Sequence, residues 1–303
     1  MRPLFKAKRN FRIFNDFSWY IPGVGGMFAL IGLLVVGILI GAGITMGLST
    51  FMAREYCLLI SYPLQFMPAM LFCSLKSRSN AVWGEGVALV SSHFGRWNSE
   101  LMPYLVSLLT LSVTFSMDSF NWWFAEFSKS SPLLGPWYDS ISAVLKSMTG
   151  GPLWVSILLA VIMAPLFEEW LLRGMILRGL LEKMKPGWAI VISAALFGAI
   201  HMNPWQALNA FIIGVIMGYV YYKTGSLILT MIIHFVNNGT AVILSQFSSR
   251  EEVDFWIDII PKGTYITLSV VGVICLCACL MAFRRIPLEQ KRGNIDTVTL
   301  NVD

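Results

Sequence analysis

The sequence has few charged residues, few histidines and no metalloprotease signature. Charged residues make up 13% of the 303 residues and hydrophobic residues 56%, whereas soluble domains carry about 25% charge. This composition excludes an ordinary soluble domain and predicts an integral membrane protein. None of the 3 histidines falls in the H-E-x-x-H pattern that binds zinc on a helix. The 5 cysteines all lie in apolar runs, where thiols pack as small hydrophobic groups, so we interpret them as packing residues.

Long apolar runs occur throughout the chain. A helix of roughly 20 apolar residues crosses a bilayer, and eight such runs can be drawn, at about 23–48, 57–75, 101–123, 151–172, 188–204, 207–222, 226–247 and 260–283. We therefore expect an all-α, polytopic membrane protein with about eight transmembrane helices. The first three helices and an external interfacial loop at 124–150 would form residues 1–150. Residues 151–246 would hold helices four to seven, and residues 247–303 helix eight and a basic cytoplasmic tail.

The basic residues are distributed unevenly along this predicted topology. If both termini are cytoplasmic, 17 of the 22 Lys and Arg residues lie on the inside, which is the positive-inside pattern. We therefore interpret the net charge of +5 as orienting helices in a lipid bilayer. The sequence predicts a multi-pass protein of the cell membrane, with both termini cytoplasmic and no nucleic-acid partner.

A pair of adjacent acids interrupts the fourth apolar run. Glu169 and Arg173 are four residues apart, so a helix makes them neighbours, whereas Glu168 points about 100° away. We expect Glu169 to pair with Arg173 and Glu168 to stay free. Ionisable side chains in membrane spans mark functional sites, so Glu168 is a candidate general base. Pro165 lacks a backbone N–H and is expected to distort this helix. The alternative is that both acids mark the solvated cytoplasmic end of the helix.

Two histidines lie in later apolar runs. His201 follows Phe197 by four residues, so the Phe ring can pack against the imidazole on one helical face. His234 precedes Asn238 by four residues, which aims an imidazole and a carboxamide at one point. Two donors that converge in this way can stabilise an oxyanion. Asn237 is the rival amide, but it is rotated about 100° away.

Three motifs follow one another on separate apolar runs: E-E-x-x-x-R at 168–173, F-x-x-x-H at 197–201 and H-x-x-x-N at 234–238. Together with N-P-W-Q at 203–206 and Y-K-T-G-S-L at 222–227, they resemble the CPBP family. That family groups CAAX prenyl proteases of the Ras-converting-enzyme type with bacterial bacteriocin-processing, immunity and abortive-infection proteins. The resemblance covers roughly residues 150–246.

The resemblance implies an intramembrane endopeptidase with its catalytic core at 151–246. Glu168 and His201 would activate the attacking water, and His234 with Asn238 would hold the oxyanion of the scissile carbonyl. Structural support would fall to the other motif residues: Glu169, Arg173 and Phe197.

A metal-dependent mechanism is the alternative to this assignment. Catalytic zinc takes three protein ligands and a water, and Glu168, His201 and His234 can be proposed as those ligands. Asn238 would be a poor zinc ligand. We therefore expect a glutamate-type mechanism without a cofactor, with zinc as the alternative.

Two other classes of function stay open on the sequence. One is a non-catalytic membrane immunity or scaffold protein of the same fold, and the other is a proton-coupled transporter that uses the ionisable groups as a relay. For an enzyme, the expected partner is a peptide or membrane-protein substrate. We expect a bacterial membrane, which normally lacks protein prenylation, and hence a substrate other than a prenylated CAAX peptide. The oligomeric state is left open.

Overall fold

A computed structural model describes residues 20–83, 102–149, 151–248 and 253–285. Over that part of the chain the fold is all-α, as predicted, with no strand. The basic N-terminal stretch and the predicted cytoplasmic tail after Pro287 lie outside the described residues.

Nine helices and one short 3₁₀ turn, Trp256–Asp258, form the described fold. In chain order the helices are α1 Val24–Leu48, α2 Arg54–Trp83, α3 Met102–Ser130, α4 Gly135–Thr149, α5 Leu153–Leu181, α6 Pro186–Ala199, α7 Pro204–Thr224, α8 Leu227–Ser248 and α9 Lys262–Arg284.

Five helices in the described part are long and apolar enough to cross a membrane: α1, α2 over Arg54–Ser77, α5, α8 over Leu227–Gln246, and α9. Helix α6 is apolar but has 14 residues, about 21 Å at 1.5 Å per residue, whereas the hydrocarbon core is roughly 30 Å thick. Helices α3 and α7 are long enough but not sufficiently apolar. A helical membrane protein is therefore confirmed, and the predicted count of eight spans is not.

The prediction of an external loop at 124–150 is wrong in its secondary structure. Helix α3 continues to Ser130 and α4 begins at Gly135, so only residues 131–134 form a turn between them. The Ser, Pro and Gly residues that suggested a long loop are concentrated at this turn. Pro136 lies in the first turn of α4, where a helix has no use for the missing N–H.

Helix α5 is the most buried of the candidate spans and has an irregular backbone. Two π-helical stretches, Ile157–Met163 and Trp170–Leu177, flank the α-helical turn Ala164–Glu169. All eight residues of the second stretch are buried. Because π-helical turns often occur at functional sites, this helix is where a site is expected.

Candidate active site

The acid pair lies at the centre of a buried polar network on α5. Arg173 Nη1 donates to Glu169 Oε1 at 2.7 Å, and both side chains are 0% exposed. Arg173 Nη2 also donates to the carbonyl oxygen of Gly214 on α7, at 3.1 Å. The guanidinium carbon lies 4.6 Å from the centre of the Phe197 ring, within the range of a cation–π contact. The predicted Glu169–Arg173 pair is therefore confirmed.

His234 reaches this network from α8. Its Nδ1 lies 3.0 Å from Glu169 Oε1, and because an ionised carboxylate only accepts hydrogen bonds, Nδ1 carries a proton. The second ring nitrogen, Nε2, lies 3.9 Å from Glu168 Oε2. One imidazole thus lies between the two carboxylates, held by Glu169 on one side and next to Glu168 on the other.

Glu168 has a partner that the sequence did not reveal. It makes no ion pair with Arg173, in line with the prediction, but its Oε1 accepts a hydrogen bond from the Tyr62 hydroxyl of α2 at 2.6 Å. Its side chain is 11% exposed, and its Oε2 is buried without a hydrogen bond from any described residue. The only sequence signal for Tyr62 was a phenol inside an apolar run, directly before Pro63, which does not identify a site residue by itself.

His201 lies in a turn between α6 and α7, which differs from the predicted helical run through residue 204. Helix α6 ends at Ala199, yet the i to i+4 relation to Phe197 persists, since His201 Nδ1 lies 2.8 Å from the Phe197 carbonyl oxygen. A carbonyl oxygen only accepts, so Nδ1 carries the proton and Nε2 of the neutral ring has a free lone pair. Met202 follows with φ 54°, a strained value for a residue other than glycine.

The sequence around N-P-W-Q explains why the helix breaks here. Asn203 is the N-cap of α7, and its side chain accepts from the Gln206 amide at 2.9 Å, with Pro204 in the favoured first helical position. Asn203 Nδ2 also donates to the His201 carbonyl oxygen at 3.1 Å. Trp205 Nε1 donates to Ser128 Oγ at 2.9 Å, which anchors the turn to α3.

Asn238 is anchored to α5 by a hydrogen bond to a backbone carbonyl oxygen that lacks its helical N–H partner. The N–H of Ala164 donates to the carbonyl of Leu159, five residues back. The same register would pair residue 165 with Ala160, but Pro165 has no N–H. Asn238 Nδ2 donates to this Ala160 carbonyl oxygen at 2.8 Å, so the proline creates the acceptor that holds the amide.

The Phe197 ring joins the two histidines. Its centre lies 5.2 Å from the His201 ring and 5.5 Å from the His234 ring, with both contacts edge-to-face. Glu168, Glu169, Arg173 and His234 therefore share direct contacts, whereas His201 is connected through Phe197. Within the described chain, neither His201 nor Asn238 hydrogen-bonds to Glu168 directly.

The site becomes more accessible away from the buried ion pair. Glu169 and Arg173 are fully buried, Glu168 and His234 nearly so, and His201 and Asn238 are only half-buried. The side of the site formed by His201 and Asn238 is therefore its more accessible side.

The zinc alternative needs three protein ligands that lie close together. In the described ranges, no three His, Cys, Asp or Glu side chains lie close enough together to hold one metal ion. In the described fold, Glu168, His201 and His234 are therefore not grouped as a set of three ligands.

Fold and site together define a helical membrane protein with a buried acid–histidine site. Residues 150–240 match the family model described as Type II CAAX prenyl endopeptidase Rce1-like, which confirms the predicted resemblance for this segment and supports a CAAX-type intramembrane protease. The match includes α5, α6, α7 and most of α8. No curated protein and no solved structure matched the chain.

Proposed function

We propose that the protein is an intramembrane endopeptidase that hydrolyses a peptide bond by direct attack of water. The observation that carries the proposal is the approach of Glu168 Oε2 to His234 Nε2, 3.9 Å apart, inside an apolar helical site in a segment that matches CAAX prenyl endopeptidases. An unbonded carboxylate oxygen and an imidazole nitrogen that converge in this way can share one reacting group.

Glu168 and His201 would activate the water. Glu168 Oε2 is buried and has no hydrogen-bond donor among the described residues, so it is available to accept a proton. His201 Nε2 has a free lone pair because Nδ1 donates to the Phe197 carbonyl. The water oxygen attacks the scissile carbonyl carbon while Glu168 Oε2 takes one of its protons and His201 Nε2 accepts a hydrogen bond from it. The C–N bond then breaks as the tetrahedral intermediate collapses, and Glu168 returns the proton to the leaving amine nitrogen.

His234 and Asn238 would hold the developing oxyanion. For this role His234 Nε2 must carry a proton, and a doubly protonated ring balances the charges of Glu168, Glu169 and Arg173 to zero. Such neutrality is favoured where solvent is excluded. The Asn238 amide has two N–H groups, one of which is bound to the Ala160 carbonyl oxygen, so the other can donate to the substrate. Two donors on one oxyanion give the stabilisation that acyl transfer requires.

The proposed location is a bacterial cell membrane, with several crossings and both termini cytoplasmic. This topology needs an even number of crossings, and among the described residues five helices meet the length and apolarity of a span. One or all three of α3, α6 and α7 would therefore also cross. The substrate would be a peptide or membrane protein that presents its scissile bond within the bilayer.

Cleavage by the purified protein in detergent micelles tests the proposal. Two quenched fluorescent probes are suitable, a farnesylated CAAX peptide and an unprenylated transmembrane peptide. Because general acid–base catalysis contributes about 10²–10⁴-fold, Glu168→Gln should lower kcat by roughly that factor on whichever probe is cleaved. Glu126→Gln is the matched control, since Glu126 is exposed and forms a surface ion pair with Lys129 across 3.7 Å.

The result also separates the alternative functions. Cleavage of either probe that survives Glu168→Gln would contradict the assigned water activation. If neither probe is cleaved, and cells that carry Glu168→Gln show the same phenotype as cells with the wild-type protein, the scaffold alternative replaces the enzyme proposal. Uptake by sealed vesicles that requires a proton gradient would instead indicate a transporter.

A further inference from the structure

The candidate site receives one hydroxyl group from outside the segment that resembles the protease family. Tyr62 lies on α2, whereas the matched segment covers residues 150–240. Its hydroxyl donates to Glu168 Oε1 across 2.6 Å, the length of a strong hydrogen bond to an ionised acceptor. A residue separated from Glu168 by 106 positions therefore contacts the proposed general base.

We propose that Tyr62 is a positioning residue that orients the Glu168 carboxylate for water activation. The proposal rests on the proposed endopeptidase function. A carboxylate can rotate about its last bond, which exchanges its two oxygens. With Oε1 held by Tyr62, Oε2 is the oxygen that stays unbonded and lies 3.9 Å from His234 Nε2. Tyr62 thus determines which oxygen accepts the proton and where that oxygen points.

An aromatic cluster of Tyr62, Phe66 and Phe167 holds both ends of this hydrogen bond. The Tyr62 ring lies 5.5 Å from the Phe66 ring, one turn further along α2. Phe66 in turn stacks on Phe167 at 5.3 Å with an interplanar angle of 16°. Phe167 directly precedes Glu168, so the stack fixes the α5 backbone next to the carboxylate as well as the phenol. Such a preorganised pair loses little side-chain freedom when the substrate binds.

Tyr62→Phe is the direct test, because it removes the hydroxyl and keeps the ring in the aromatic cluster. We expect kcat on the cleaved probe peptide to fall about 10- to 100-fold, the range for a lost hydrogen bond to a charged group, with KM unchanged. Tyr56→Phe is the matched control on the same helix. Its ring faces Trp154 at 5.9 Å, and kcat should stay at the wild-type value.

A purely structural role would produce a different result. Loss of packing would lower the melting temperature and the folded fraction, but kcat per folded molecule would stay at the wild-type value. That pattern, or wild-type kcat in a well-folded Tyr62→Phe protein, would overturn the proposal. If wild type cleaves a probe, Glu168→Gln does not, and Tyr62→Phe does so at full rate, the endopeptidase function stands and only the role of Tyr62 fails.

A double-mutant cycle tests the contact without any substrate. Tyr62→Phe, Glu168→Ala and the double variant are melted in detergent, and Glu168→Ala is chosen because it removes the acceptor completely. We expect the melting temperature of the double variant to fall by clearly less than the sum of the two decreases in the single variants. Additive losses would show that the two side chains do not interact, which would remove the basis of the proposal even if no probe peptide is cleaved.

Discussion

Replacing Arg173 with methionine should strongly destabilise the fold, because it leaves a buried carboxylate without its cation. Arg173 and Glu169 are both 0% exposed and lie 2.7 Å apart, and Arg173 also binds the Gly214 carbonyl oxygen. Methionine keeps most of the side-chain volume, so the change isolates the charge and its hydrogen bonds. Removing one partner of a buried ion pair costs about 3–5 kcal/mol.

Thermal melting of the purified protein in detergent measures this loss. At ~2–4 °C per kcal/mol for a protein of this size, the melting temperature should fall by roughly 6–20 °C. Lys129→Met is the control, since Lys129 forms an exposed pair with Glu126, and exposed pairs contribute about 0–1 kcal/mol.

The double variant Glu169→Gln with Arg173→Met tests whether the lost stability comes from the Glu169 charge. If the cost comes from the uncompensated Glu169 charge, neutralising Glu169 should recover part of the lost melting temperature, because a buried pair replaced on both sides is often nearly neutral. A double variant that is less stable than Arg173→Met would refute this explanation. A melting temperature unchanged in Arg173→Met itself would refute the buried pair as a source of stability.

Three further outcomes are expected. Gly225→Ala should lower the free energy of unfolding by about 1 kcal/mol, because Gly225 has φ 68° and the added methyl group meets open space. Gly32→Ala is the control, since Gly32 lies within helix α1 and also has open space around it. This second change should not lower the stability of the protein. Pro165→Ala restores an N–H that competes with Asn238 for the Ala160 carbonyl, so kcat should fall while the melting temperature does not. A chelator should leave cleavage unchanged and the purified protein should contain well below one zinc per chain; activity lost on chelation and restored by zinc would contradict this.

Local spacing predicted the parts of the site that depend on one helix. Glu169 and Arg173 meet because residues four apart lie on the same face of α5, and the structure confirms this pair. Phe197 and His201 keep the same relation although the helix ends between them. Such contacts depend on local geometry, which the order of residues determines directly.

Contacts between distant segments could not be predicted in this way. Tyr62 is joined to Glu168 by the packing of α2 on α5, and no periodicity in either helix specifies that partner. The sequence does contain a signal for the turn at His201. A helix start is indicated by Asn203 as the N-cap, Pro204 directly after it and Gln206 three residues after the cap. The prediction missed this signal because the apolar run continues to residue 204. Apolar composition indicates how long a membrane-embedded segment is, but it does not indicate where its backbone leaves the helix.

The breaks in the helices are compatible with the hydrolysis that we propose for this site. A helix with all its backbone groups paired offers water nothing to bind, and irregular backbone at membrane depth is tolerated only inside protein or beside a water-filled cavity. If α6 begins at the membrane surface at Pro186, its ~21 Å length ends before the far side of the bilayer, which brings the His201 turn within the membrane. The amide of that turn residue donates to Gly198 and its carbonyl accepts from Asn203, so the break is compensated within the protein. Pro165 acts likewise on α5, where the freed Ala160 carbonyl binds Asn238. One interruption places His201 against the Phe197 ring, which also contacts His234, and the other holds Asn238 one turn along α8 from His234. Under the proposed mechanism, the sequence features that weaken the helices would therefore also position the groups that receive a water molecule and a substrate carbonyl.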